Sequence, residues 1–126
     1  MDIFELVNNN NLSKAEAVIV SGEKFYIRRL NANDRDVMEE QWLSFRDTRK
    51  AGEVGGLRGF TVAFCLSDKD GNKTYDSGFS KTPKKEFLDV VERMSELPIE
   101  YINSLWNKAA HLNKMTSDDV EELEKN

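Results

Sequence analysis

One cysteine and one histidine, Cys65 and His111, are all this sequence offers for thiol or imidazole chemistry. A lone cysteine excludes a disulfide within the chain and fits a reducing compartment. No stretch approaches the roughly 20 apolar residues that a membrane-spanning helix needs. The opening MDIFELVNNNN lacks the basic n-region and the long apolar core of a secretory signal. Positive charge is short too. The net charge is −5, so phosphate backbones are poor partners and nucleic acid is set aside. The expectation is a soluble protein of the cell interior that engages neither membrane nor nucleic acid.

A chain of 126 residues suits one domain with a modest core. Apolar residues make up 39% and charged residues 33%. That apolar share is slightly low, which points to a thin core, a flexible segment or a surface that a partner covers.

Residues 1–12 read as a short helix with the apolar patch Ile3, Phe4, Leu6 and Val7, followed by an asparagine linker, Asn8 to Asn11. Residues 13–126 read as one α+β domain. A β-hairpin is expected over about 17–30: Val18, Ile19 and Val20 answer Phe25, Tyr26 and Ile27 across a turn at Gly22. Both of its faces carry apolar groups, so helices or another subunit should cover both. A helix follows. Asn31 is its cap, Asp34 is three residues on, and Met38, Trp42 and Phe45 form one stripe, with Arg46, Arg49 and Lys50 in its last turns. The cluster AGEVGGLRG reads as a flexible loop, without the Lys-Ser/Thr ending of a phosphate cradle. Residues 57–66 fit a strand by Phe60, Val62 and Phe64, or a helix by Leu57, Phe60 and Phe64. A further helix is expected with Thr82 as cap and Pro83 in its first position. The next buries Ile102, Leu105, Trp106, Ala109 and Leu112. An acidic helix capped by Thr116, with Asp119 three residues on, closes the chain, and Met115 can staple onto Val120. The fold class expected is α+β, mainly α-helical, with one N-terminal hairpin packed against four to five helices.

Little here supports catalysis. His111 reads as a surface or half-buried group, Cys65 as a buried structural thiol, and a dyad between them has no support. Around DKDGN, placing Gly71 sixth in a calcium loop puts Leu66 first and Ser77 last, so the loop fails and a turn remains. No catalytic, cofactor or metal site is expected. The aromatic residues Trp42, Phe45, Tyr101 and Trp106 are candidate partner anchors, with the acids Asp118, Asp119, Glu121 and Glu122 as a docking face for a basic partner. Ile3, Phe4, Leu6, Val18, Val20, Phe25 and Ile27 are candidate self-association residues.

FELVNNNN, the junction YIRRLNANDRD, CLSDKDGNKTY and the ending ELPIEYINSLWNKAAHLNKMTSDDVEELEKN together resemble the tail assembly chaperones of long-tailed, siphovirus-type bacteriophages. The likeness runs over nearly the whole chain. Its most specific parts are Tyr26 to Asp36 and Leu105 to Asn126, and it departs most in the glycine-rich AGEVGGLRGFTVAF. Such a resemblance implies a non-enzymatic protein of the bacterial host cytoplasm, encoded by a phage or prophage. It would bind the tape measure protein, keep it soluble, help recruit tail tube subunits and be absent from the mature virion. It further implies a longer form, made by ribosomal frameshifting, that engages tail tube protein; this chain would be the shorter form or its shared N-terminal part. Glu124-Lys125-Asn126 can be encoded by an A-rich slippery heptamer. A homo-oligomer, ring-like in its fullest form, is expected because many weak contacts along one client give avidity. The alternative is a small acidic intracellular adaptor that regulates another protein.

Overall fold

The computed structural model describes residues 1–49 and 56–125. Among these residues, six helices and a three-stranded antiparallel sheet make an α+β, mainly helical fold. Helix α1 (Ile3–Asn9) starts where the Asp2 carboxylate accepts from Glu5 N–H at 2.9 Å, and it extends through the first two asparagines of the expected linker. Strands β1 (Ala15–Val20) and β2 (Glu23–Arg28) form the hairpin, two residues earlier than expected. Ser21 and Gly22 both have positive φ, 51° and 80°. That is the geometry whose twist matches a two-residue hairpin.

Helix α2 (Ala32–Thr48) opens on a complete capping box between Asn31 and Asp34. Its buried stripe is Met38, Gln41 and Trp42. Lys50, expected in its last turn, lies outside the described residues. Residues 57–65 resolve as helix α3 (Leu57–Cys65), followed at once by the short strand β3 (Leu66–Ser67). Leu57, Arg58 and Gly59, read above as loop, are therefore the first turn of a helix and Gly56 is its cap; residues 51–55 of that expected loop lie outside the described residues. All of α3 except Arg58 is buried. β3 adds a strand that the sequence reading lacked, with Tyr26 opposite Ser67 and Ile27 opposite Leu66. The DKDGN segment is a turn: Asp68 Oδ1 accepts from Asp70 and Asn72 N–H, and Gly71 sits at φ 82°.

Helix α4 (Lys85–Met94) begins two residues later than Thr82 and Pro83 suggest. The cause is non-local. Buried Gln41 donates its amide to the carbonyls of Ser77, Gly78 and Ser80. Lys84 N–H donates to Ser77 O at 3.1 Å, so the chain stays extended through Lys84. Helix α5 (Ile99–Leu112) buries all five expected residues. Helix α6 (Ser117–Glu124) has a complete capping box between Thr116 and Asp119, and Met115 and Val120 pack partly buried against the core.

Asn113, the last cap of α5, ties three elements together. Its Oδ1 accepts from Leu30 N–H at 2.7 Å, its Nδ2 donates to Arg28 O at 3.3 Å, and its carbonyl accepts from Arg35 at 2.8 Å. This fixes where the hairpin turns into α2. The sheet lies over α5 on one face: Phe25 meets Tyr101 edge-on at 6.2 Å, and Glu16 meets Lys108 at 2.9 Å.

Candidate interaction surfaces

Four aromatic rings knit the interior. Trp42, Phe45, Phe60 and Phe87 contact in series with centroids 5.2–6.0 Å apart. Trp42 and Trp106, offered above as partner anchors, are only 2% and 7% exposed. They act as core, because α3 and α6 cover them. Phe45 and Tyr101 are half-buried. The exposed aromatic side chains are instead Phe79, with the Lys73 ammonium 4.9 Å from its centroid, and Phe4.

The self-association set divides. Ile3, Phe4 and Leu6 stand on α1, which has no buried residue; with Met1, Val7 and Leu12 they make a run of exposed apolar groups. Val18, Val20, Phe25 and Ile27 do not join them. Strand alternation puts these four on the sheet face that looks onto α5, where Val20 and Ile27 are buried and Val18 and Phe25 partly so. The opposite face was expected to be covered as well. There Arg28 is buried beneath Phe64, but Ala17 and Ile19 are exposed. Ile19 is the surface residue that the sequence reading passed over. The signal was its odd place in a strand whose even residues face the core.

On α6, Asp118, Glu121 and Glu122 are exposed. Asp119 differs. It accepts from Thr116 N–H at 2.9 Å and from Arg35 at 3.4 Å. Those Thr116 hydrogen bonds, and then the Arg35 charge, hold its carboxyl below the ordinary range. Asp119 therefore caps and anchors α6, and the docking face narrows to the other three acids.

Cys65 is fully buried, and burial pushes its thiol up to about 12. Its polar neighbour is the Asn113 amide at 3.8 Å, while His111 is exposed. Among the described residues no three His, Cys, Asp or Glu side chains gather as metal ligands, and no helix is long and apolar enough to cross a membrane. An open groove of about 710 Å³ runs beside α3, lined by Leu57, Met94, Leu97 and Ile102 together with Arg46, Arg58 and Glu124.

No family model, curated protein or solved structure matches the chain.

Proposed function

We propose that this chain is a phage tail assembly chaperone: a non-enzymatic protein of the bacterial cytoplasm that binds the tape measure protein and keeps it soluble until the tail tube assembles around it. The observation that carries the reading is α1. Ile3, Phe4, Leu6 and Val7 are each more than half exposed on a helix that buries nothing in its own chain. Exposed apolar groups clustered this way mark a surface made for a partner. A holder of a long helical client needs such groups, together with enough charge to stay in solution, and the net charge of −5 supplies the latter. The groove beside α3 adds a trough that mixes apolar and charged lining, a shape that suits an amphipathic helix. Self-association and a longer frameshifted form that engages tail tube protein belong to the same proposal.

The test is co-purification. The affinity-tagged chain is expressed with the tape measure protein of the same genome and recovered. The expected outcome is a complex that survives washing and weakens when Phe4 and Leu6 are both replaced by Asp. Recovery of the chain alone sinks the reading and favours the adaptor, whose contact would be Asp118, Glu121 and Glu122 on α6.

A further inference from the structure

We infer that β1 pairs edge to edge with β1 of a second copy, antiparallel about a twofold axis at Ala17. The inference deepens the self-association part of the reading above and rests on it only for its biological purpose. The sheet order is β1-β2-β3, so β1 is an edge. In a hairpin closed by a two-residue turn, the flanking pair Val20 and Glu23 exchanges both hydrogen bonds, and every second pair after it does the same. Val18 and Glu16 therefore bond to β2, and Arg29 N–H continues the series to Lys14 O at 2.8 Å. The N–H and C=O groups of Ala15, Ala17 and Ile19 point the other way, off the edge of the sheet.

This edge carries none of the usual guards. It has no proline and no bulge, and its one charge, Glu16, turns inward to Lys108 and Arg29. The occupant that matches it is the same strand. Centred on Ala17, an antiparallel pairing sets Ala17 opposite Ala17 and Ala15 opposite Ile19 of the other copy, twice. All three outward residues then exchange both bonds, and no other register uses all three. Directly opposite residues share a face. Ile19, 60% exposed in the single chain, thus gains apolar neighbours in Ala15 and Ala17 of the second copy. The two Glu16 carboxylates lie diagonally across the join, but each already has cations at 2.9 and 3.3 Å. The product is a continuous six-stranded sheet with the twofold at its middle.

The experiment is sedimentation of the full chain with two variants. Ala17→Pro removes an outward N–H and leaves the bonds to β2 intact. The wild type is expected to dimerise, and A17P to dissociate at least ~10-fold more readily with unchanged circular dichroism, from two lost backbone hydrogen bonds. Ala17→Cys supplies a second readout that does not depend on A17P folding. Mild oxidation should link A17C into a covalent dimer, whereas Lys24→Cys, one strand further in, should stay unlinked because its partner is beyond disulfide reach. A wild type that stays monomeric at high micromolar concentration, or K24C linking as fast as A17C, overturns the pairing. Failure here and failure of the chaperone reading are separable. A dimer that cannot hold the tape measure protein leaves the edge pairing standing, and a monomer that holds it leaves only the chaperone reading.

Discussion

The Trp42 indole N–H donates to the Leu123 carbonyl at 2.6 Å, and this bond fastens the last helix to the second. Arg46 donates to the same carbonyl at 3.1 Å and to the Lys125 carbonyl, so a tryptophan and an arginine one turn apart on α2 serve the carboxyl end of α6. A short acidic helix is marginal alone. Here it is held at both ends, by the Thr116 box at its start and by these donors at its finish.

Trp42→Phe keeps most of the apolar volume and deletes the donor. The expected cost is about 1–3 kcal/mol, from the lost bond and the imperfectly filled space. Thermal denaturation gives the total. Amide exchange gives the location: α6 should lose protection before α5 does.

Asn113→Ala strips two hydrogen bonds from backbone groups at the end of the hairpin. Leu30 N–H and Arg28 O would be left without this partner, at about 1–3 kcal/mol for an unsatisfied buried group. Urea denaturation should show the loss. Asn113→Asp should recover part of it, because a carboxylate can still accept from Leu30.

Lys114 follows α5 with φ 57°, in the left-handed region, and it is exposed. Met115 N–H reaches back to Ala110 O at 2.8 Å, the closing bond of a helix stop that favours glycine. Lys114→Gly should therefore stabilise the protein by about 0.5–1 kcal/mol. The readout is a melting temperature raised by a few degrees.

Cys65 gives a pH dependence with a definite sign. Burial raises its thiol from 9.0 to about 12. The unfolded chain releases that proton near the ordinary value while the folded chain keeps it. Its contribution is thus intact below about pH 9 and is lost progressively as pH rises towards 12. Cys65→Ser should flatten that alkaline limb. In the native protein near neutral pH, iodoacetamide should leave Cys65 unmodified, and denaturant should expose it; rapid native alkylation would contradict the buried placement.

Local signals were legible and distant ones were not. The boxes Asn31–Asp34 and Thr116–Asp119 sit within one turn each, so the letters alone announce them. The apolar face of α5 likewise repeats at helical spacing. Helix α3 is harder, because a segment buried on nearly every side has no polar face to set a period. The late start of α4 depends on Gln41, some forty residues earlier, gripping the 77–80 loop. For the surfaces, composition picks out aromatic residues but not which of them face inward. Trp42 and Trp106 are consumed by packing, whereas α1 is exposed because none of the described residues covers it.

The central claim is tested most directly by the soluble yield of the tape measure protein, expressed with and without this chain in the same host. A chaperone predicts that the client moves from the pellet to the supernatant when the chain is present, and returns to the pellet when Phe4 and Leu6 are changed to Asp. A client that stays equally insoluble beside the intact, folded chain would contradict the account.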